Sequence, residues 1–258
     1  MEKYDYSYNE IIGSLKKVGL KKGDKIFVHS NLGFFGKLRY AINPSDYYLQ
    51  FKKAIFEIIG YEGTLIVPTF SYSFMNNEVF DIKKTPSVCG IFSEMVRKDE
   101  DSKRSDDPNF SISVIGNESE FFIENLPRHS FGNDSFWERF YKKNGKICNF
   151  NFDSGSTFFH YVEKILDVSY RYDKKFSGTS LKNNENVNET WIHFVFDHSK
   201  KNHWPNFEKF SLIAKKLKKT KIADLGKGQV TCIRTKEMTE LIKKQLKINP
   251  SFLIEDHV

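Results

Sequence analysis

Two short apolar runs with a helical segment between them constrain the fold more than any other feature. Residues 25–30 (KIFVHS) and 64–70 (TLIVPTF) are apolar, bounded by polar groups and too short for helices, so they predict buried strands. Between them, Ser45 is the expected N-cap of a helix that carries apolar residues at helical spacing and closes at Gly60. A strand, a helix and a strand with short connections form the crossover unit of a parallel or mixed sheet. The chain is therefore predicted to be α/β.

The remaining segments continue this alternation. Ser7 and Glu10 have the spacing of a capping box and open a first helix. Further strands are predicted at 112–115, 146–152 and 229–233, and further helices at 88–97, 157–166, 207–217 and 235–246. This order predicts one layered α/β/α domain over residues 1–258, with a mixed, largely parallel central sheet. Residues 170–206 are aromatic and polar without clear periodicity, so they predict a lid or small subdomain, with a surface loop at 183–189.

Composition excludes several classes of protein. Hydrophobic residues make up 39% of the 258 residues, so the chain has enough apolar surface to bury a core. The longest charge-free run, 63–77, has 15 residues and contains a proline, too short to span a bilayer. The acidic N-terminal segment does not resemble a secretory signal, which predicts a cytoplasmic protein. Three widely spaced cysteines lack metal-ligand spacing and are expected to be reduced thiols, so no metal site is predicted.

The net charge of +7 favours anionic over strongly cationic partners. The basic residues are dispersed in short pairs, which favours a solvated surface over nucleic-acid binding, and no nucleic-acid partner is predicted. The aromatic content of 16% leaves room for an apolar interface, so a homo-oligomer stays possible.

The sharpest local feature is the segment 157–163 (TFFHYVE), where a helix should begin. Helical spacing places His160, Glu163 and Asp167 on one face. The opposite face, expected to be buried, carries the apolar residues Phe159, Val162, Ile165 and Leu166. A carboxylate three residues from an imidazole holds the ring and stabilises its charged form, while closeness to the helix N-terminus favours the neutral form that a general base needs. The alternative is an amphipathic helix whose polar face happens to carry these residues.

Polar residues also follow the predicted strands. His29, Ser30 and Asn31 stand beyond the carboxyl end of the first strand, where open α/β sheets bind ligands, and Thr69 with Ser71 repeats the arrangement. Residues 104–111 (RSDDPNFS) place a cation beside hydroxyls and carboxylates. Each group is equally compatible with ordinary turn chemistry.

Several of these segments match a known family in order. They are FVHSNL at 27–32, TLIVPTFSY at 64–72, TPSVCGIFSEMVR at 85–97, RSDDPNFS at 104–111, SFGNDS at 130–135 and TFFHYVE at 157–163. The set resembles the aminoglycoside 3-N-acetyltransferase-like family from about Gly23 to Gly178, and GKGQV at 226–230 is a weaker match. The resemblance implies an enzyme that passes an acyl group directly from acetyl-CoA or another acyl-CoA to an amine of a sugar-like acceptor.

The resemblance also implies roles for individual residues. His160 would be the general base and Glu163 would orient and stabilise its imidazolium, with Asp107 as a further catalytic or acceptor-facing residue. The candidate donors to acyl-CoA are His29, Ser30, Asn31, Thr69, Ser71, Arg104, Ser105 and Ser111. The candidate acceptor-binding residues are Thr157, Tyr170, Arg171 and Tyr172, for which a packed loop is the alternative.

The acceptor is less well defined. Where the family usually has a histidine before the proline of its RSxHP segment, this chain has Asp107. Because aminoglycosides are polycations and the chain is net positive, the expected acceptor is an amino sugar linked to a nucleotide, used in surface glycan biosynthesis. Two alternatives are an aminoglycoside 3-N-acetyltransferase and a basic binding protein that keeps the fold without the reaction.

Overall fold

The computed structural model describes residues 4–152, 155–199 and 204–255. The helices are α1 (Tyr8–Lys17), α2 (Pro44–Ile59), α3 (Ile91–Lys98), α4 (Ser119–Ile123), α5 (Phe136–Lys142), α6 (Phe158–Ile165), α7 (Glu208–Lys216) and α8 (Thr235–Ile248), with a 3₁₀ turn at Leu32–Phe35. The strands are β1 (Lys25–Ser30), β2 (Thr64–Pro68), β3 (Phe80–Asp81), β4 (Lys103–Arg104), β5 (Ile112–Gly116), β6 (Lys146–Phe150), β7 (Arg171–Lys182), β8 (Glu185–Phe196), β9 (Lys221–Leu225) and β10 (Gly228–Arg234).

The main sheet has seven strands in the order β4-β5-β2-β1-β6-β10-β9. Only β1 with β2 and β1 with β6 pair in parallel, whereas the four outer pairings are antiparallel. A mixed α/β fold is thus confirmed, but the sheet is less parallel than expected. The reason is that β5 and β10 return against the parallel centre, an orientation that short apolar segments do not encode by themselves.

The central strands alternate their side chains between two separate cores. Ile26 and Val28 of β1 pack with α1, α2 and α3, while Phe27 between them packs with the helices of the other face. Residues of β2 and β6 alternate in the same way, because neighbouring side chains of a strand point to opposite faces. The expected α/β/α layering follows from this two-sided burial.

Residues 170–199, predicted as part of a lid or small subdomain without clear periodicity, contain two regular strands. β7 and β8 form a hairpin of two 12-residue strands, turned at Asn183 and Asn184, and β3 joins β7 as the third strand of a small sheet. The predicted loop at 183–189 is therefore correct only for the turn at Asn183 and Asn184, and wrong from Glu185 on, where β8 begins. Most residues of the two strands are partly or fully exposed, so they show no apolar alternation by which the sequence could predict them. Positions 200–203 of the predicted lid lie outside the described residues.

Three smaller expectations also need correction. α2 begins at Pro44 and its N-cap is Asn43, which forms a capping box with Asp46, rather than Ser45. Ile165, expected on the buried face of its helix, is 46% exposed. The short elements β3, β4, α4, α5 and β9 were not predicted, and each has seven residues or fewer.

The carboxyl ends of β1 and β6 meet the amino end of β10 at one edge of the sheet, which we call the upper edge. The turn that precedes β10 is tight because Gly226 has a positive φ of +54° and a Cβ there would lie 2.2 Å from the Phe35 carbonyl oxygen.

In the described part of the chain, no helix is long and apolar enough to cross a membrane.

Candidate active site

His160 and Glu163 lie on α6, one turn apart. The imidazole Nδ1 is 3.1 Å from Glu163 Oε2. Glu163 exposes none of its surface, whereas the His160 side chain remains 20% exposed. His160 and Glu163 therefore share a face of α6 as expected, but Glu163 lies beneath His160 rather than beside it in solvent. Asp167, expected on the same face, lies beyond the end of α6 and has a positive φ of 49°.

Two residues at the base of the β7–β8 hairpin enclose this carboxylate. Arg171 Nε lies 2.8 Å from Glu163 Oε2, and the Tyr170 hydroxyl donates to Glu163 Oε1 at 3.0 Å. Both side chains are buried. Tyr170 and Arg171, predicted to bind the acceptor, thus contact the carboxylate that holds the imidazole.

The contacts of His160 favour a neutral imidazole with an accessible Nε2. Burial, and next the Arg171 guanidinium, lower the pKa of His160, while Glu163 opposes them. Because the carboxylate accepts at Nδ1, the proton lies on Nδ1 and the lone pair on Nε2. Among the described residues, no hydrogen bond to His160 Nε2 is formed. A neutral imidazole of this tautomer can accept a proton at Nε2.

Two aromatic rings flank His160. The Phe131 ring lies edge to face at 5.6 Å, and the Phe207 ring lies at 6.0 Å. Neither was predicted as a site residue, although Phe131 belongs to the SFGNDS segment. Apolar rings exclude water from one side of the base and strengthen electrostatic interactions at it.

A second histidine lies at the upper edge of the sheet. His29 Nε2 is 3.3 Å from Ser156 Oγ, and its ring stacks on Phe152 at 5.2 Å. Burial lowers the pKa of His29 to about 3, so it stays neutral throughout the physiological range. Ser156, which also accepts the Phe158 amide of α6 at 3.2 Å, was not predicted.

The other predicted residues near this edge are more open. Asn31 is exposed and Ser30 half-buried, and Thr157 is half-buried just before α6. Tyr172 is 45% exposed on β7. These four positions remain candidates for contact with substrates.

Arg104 and its neighbours form a separate, internally bonded cluster. The Arg104 guanidinium donates to the carbonyls of Thr69 at 2.7 Å and Thr85 at 2.6 Å, and its Nε donates to Ser111 Oγ at 3.1 Å. Ser105 Oγ accepts the Ile112 amide. Thr69 Oγ1 accepts from Ser113, and Ser71 donates to Pro108. All five predicted members are buried, so this geometry favours a structural role for them over contact with acyl-CoA.

Asp107 caps the loop that follows it. Its Oδ1 accepts the amides of Asn109 at 2.9 Å and Phe110 at 2.8 Å, and its Oδ2 accepts the Ser130 hydroxyl. Ser130 also contacts His193 Nδ1 at 2.7 Å. These partners tie the 104–111 loop to β8, and none of them is on α6. The contacts favour a structural role over the predicted catalytic one.

A cleft of about 1150 Å³ opens between α7 and the β6–β10 face of the sheet. Ser156 and Phe207 line it, which places His160 next to its wall. Asn149, Asn151 and Gln229 line its upper part. The volume is large enough for a drug-sized ligand.

An α/β/α fold with a buried carboxylate, a neutral imidazole and an adjacent cleft is suited to deprotonating an acceptor group that attacks an acyl donor. Residues 27–247 match the model of the family described as aminoglycoside 3-N-acetyltransferase, and the chain belongs to this family. The expected enzyme class, an acyl-CoA-dependent N-acyltransferase with acyl-CoA as co-substrate, is thereby confirmed. A search of curated protein sequences finds no match.

Solved structures share the fold. The apoenzyme of aminoglycoside acetyltransferase AAC(3)-IVa has a TM-score of 0.77 at 22% identity, covering 98% of this chain and 93% of that one. AAC(3)-Xa has a TM-score of 0.81 at 17% identity, with coverages of 96% and 94%. AAC-IIIb in binary complex with CoASH has a TM-score of 0.78 at 16% identity, with coverages of 94% and 97%. The comparisons favour the aminoglycoside alternative over the nucleotide-linked acceptor that we expected first.

Sequence reasoning missed Ser156, Phe131, Phe207 and the contact of Arg171 with Glu163. Ser156 could have been found because it immediately precedes a predicted helix N-terminus. The other three come from separate segments, and no spacing rule relates them to His160.

Among the described residues, no group of three or more histidine, cysteine, aspartate or glutamate side chains could hold a metal ion.

Proposed function

We propose that this protein transfers an acetyl group from acetyl-CoA to an amino group of an aminoglycoside-type amino sugar, with His160 as general base. The observation that carries the proposal is the His160–Glu163 pair, in which Nδ1 is held at 3.1 Å and Nε2 faces no protein partner among the described residues. Family membership supports the acyl donor and an amine acceptor.

The acceptor must reach the site as a free amine. Its nitrogen lone pair attacks the thioester carbonyl carbon while His160 Nε2 takes the proton that the nitrogen sheds. Collapse of the tetrahedral intermediate breaks the carbon–sulfur bond and releases the thiolate of CoA, which takes the proton from the His160 imidazolium to become CoASH. The amide is the second product. Glu163 stabilises the imidazolium that forms between these steps.

The developing oxyanion needs donors at the upper edge of the sheet. Asn31 and Ser30 are accessible there, beside the buried pair of His29 and Ser156. Thr69 and Ser71 are less suited, because their hydroxyls are buried and bonded within the protein.

The charge of the cleft supports a cationic acceptor. Three carboxylates line it, those of Glu208, Asp224 and Glu255, against two lysines, Lys215 and Lys227. One of the two, Lys227, is ion-paired with Asp5 at 3.2 Å. Because the field near the cleft depends most on the closest charges, this local excess of carboxylates outweighs the net charge of +7 spread over the whole chain.

A nucleotide-linked amino sugar is the second candidate acceptor. The net charge of +7 favours an anionic ligand at long range. Tyr172, 45% exposed on β7, could stack on a nucleobase.

The test is release of CoASH from acetyl-CoA, measured with wild type and His160→Ala against aminoglycosides and nucleotide-linked amino sugars. Turnover with aminoglycosides that is abolished in the variant is the expected result. Turnover only with nucleotide-linked sugars would transfer the proposal to the second acceptor class. Equal rates in wild type and variant would exclude His160 as the base. If no acceptor turns over, calorimetric titration with acetyl-CoA separates a different acceptor from a protein that does not bind the donor.

A further inference from the structure

Both carboxylate oxygens of Glu163 contact other side chains of the candidate active site. Its two oxygens contact His160 Nδ1 at 3.1 Å, Arg171 Nε at 2.8 Å and the Tyr170 hydroxyl at 3.0 Å. Glu163 is 0% exposed, Tyr170 3% and Arg171 7%. A carboxylate this deeply buried is costly unless a nearby cation compensates its charge and donors satisfy its oxygens. Arg171 supplies the cation, and the Tyr170 hydroxyl donates to Oε1.

Arg171 is itself held in place by the second strand of the hairpin. Its Nη1 donates to the Phe194 carbonyl at 3.1 Å, and its guanidinium stacks over the Phe196 ring at 3.6 Å. Both partners are on β8. The hairpin therefore determines where the guanidinium lies, and through it where the Glu163 carboxylate lies.

We propose that Arg171 is a positioning residue of this active site, which holds the Glu163 carboxylate against His160 Nδ1 and so keeps Nε2 free to take the acceptor proton. Tyr170 assists by binding the other carboxylate oxygen. The inference rests on the proposed function, because it assigns to Arg171 the task of keeping that base ready.

The physical reason is the charge balance of the three side chains. Glu163 and Arg171 cancel, so the trio is neutral when His160 is neutral. Without the guanidinium, the buried carboxylate would favour a protonated His160, which has no lone pair at Nε2. Alternatively, the Glu163 carboxylate would itself be protonated and would stabilise the imidazolium less. Either result weakens the base.

Among the described residues, no further charged side chain contacts Glu163 or His160. Phe131 and Phe207, which flank His160 from two other segments, are uncharged. Burial raises the pKa of Tyr170, so its hydroxyl stays neutral and donates. Nearby, Lys164 Nζ lies 2.7 Å from Asp173 Oδ2, and His129 Nε2 lies 3.1 Å from Asp173 Oδ1.

The experiment compares Arg171→Met, Arg171→Lys and Tyr170→Phe with wild type in the CoASH-release assay, over a pH range that spans imidazole titration, roughly 5 to 9. In Arg171→Met we expect kcat to fall about 10- to 100-fold, as for other residues that orient a functional side chain. The acid limb of kcat/KM should move to higher pH by about 1 unit or more, because a compensating charge is removed. Arg171→Lys should keep the position of the limb and lose part of kcat, since lysine retains the charge without the planar fork.

Arg139→Met is the matched control. Arg139 is likewise a buried arginine, bonded to Asp134 at 2.7 Å and to backbone carbonyls, but it lies on α5 and has no contact with Glu163. It should lower the melting temperature without moving the acid limb. If it moved the limb as Arg171→Met does, the shift would reflect general loosening and the inference would fail.

A second readout is independent of turnover. The midpoint of the His160 imidazole titration, followed by NMR, should rise in folded Arg171→Met whether or not the correct acceptor has been found. Absence of turnover with an intact NMR shift would count against the proposed function alone. An unchanged midpoint and unchanged kcat in the folded variant would overturn the role of Arg171. If Arg171→Met does not fold, wild-type kcat in both Arg171→Lys and Tyr170→Phe would overturn it instead.

Discussion

Two buried arginines in this protein, Arg104 and Arg171, differ in what their guanidinium groups contact. Arg104 is 9% exposed and Arg171 is 7% exposed, and each lies within hydrogen-bond distance of several protein groups. Arg104 donates to backbone carbonyls and a serine hydroxyl, which are neutral at every pH. Arg171 pairs with Glu163, which in turn contacts His160. Burial and residue type alone therefore do not tell these two arginines apart, whereas contact with the carboxylate that binds His160 Nδ1 does.

First, the comparison predicts the largest effect on kcat at His160, which Arg171 contacts through Glu163. His160→Ala should reduce kcat at least about 100-fold, because a positioned general base typically contributes 10²–10⁴. Its affinity for acetyl-CoA should change little if the imidazole acts on the proton rather than on the donor. Steady-state kinetics measure kcat, and calorimetric titration measures the affinity for acetyl-CoA. A variant with wild-type kcat would show that His160 is not the base, and the contact of Arg171 with Glu163 would then have no bearing on catalysis.

Second, Arg104 should matter for stability and not for the pH profile. Arg104→Met leaves the Thr85 carbonyl without the guanidinium donor and removes one of two donors to the Thr69 carbonyl, which keeps the Ser111 hydroxyl. The expected cost is about 1 to 3 kcal/mol in the free energy of unfolding. Urea unfolding measures this cost. The neighbouring surface residue Lys103, 48% exposed and paired with Glu120, provides the control Lys103→Met, expected to stay within about 1 kcal/mol. A displaced acid limb in Arg104→Met would erase the distinction between the two arginines.

Third, Asp107 tests whether a buried carboxylate outside the trio takes part in the reaction. Asp107→Asn keeps an acceptor for the Asn109 and Phe110 amides, so we expect less than a tenfold loss of kcat and a loss of stability of about 1 kcal/mol. A hundredfold fall in kcat with unchanged unfolding would restore the catalytic role predicted for it. Asp106→Asn, at the adjacent and more exposed position, is the control.

Fourth, the smallest expected effect concerns the wild-type enzyme as pH changes. Since burial and Arg171 lower the pKa of His160, the reactive neutral form persists as pH falls past the ordinary imidazole value, and activity declines only below it. The acid limb of kcat/KM should accordingly lie below about 6.5. A limb above that value would mean that Glu163, and not Arg171 with burial, dominates the environment of His160.

The candidate site could be predicted in part from local spacing. His160 and Glu163 are three residues apart on a helix that the sequence indicates clearly, and His29 follows a strand of unmistakable apolar character. Arg171 was named as well, but for acceptor binding, because spacing cannot reveal that the hairpin folds back onto α6. Arg104 was expected to contact acyl-CoA, since the sequence shows a cation but not the carbonyls to which its guanidinium donates.

By itself the sequence determined the α/β class, the bounds of most helices and central strands, the family and the His160–Glu163 pair. These depend on interactions between residues close in the chain, whose periodicity is visible in one dimension. Tertiary structure alone decided the antiparallel outer strands, the carboxylates of the cleft and the partner of each arginine. Such contacts join segments far apart in the chain, such as Arg104 and Thr69 or His29 and Ser156, and their energies depend on burial and distance, which exist only once the chain has folded.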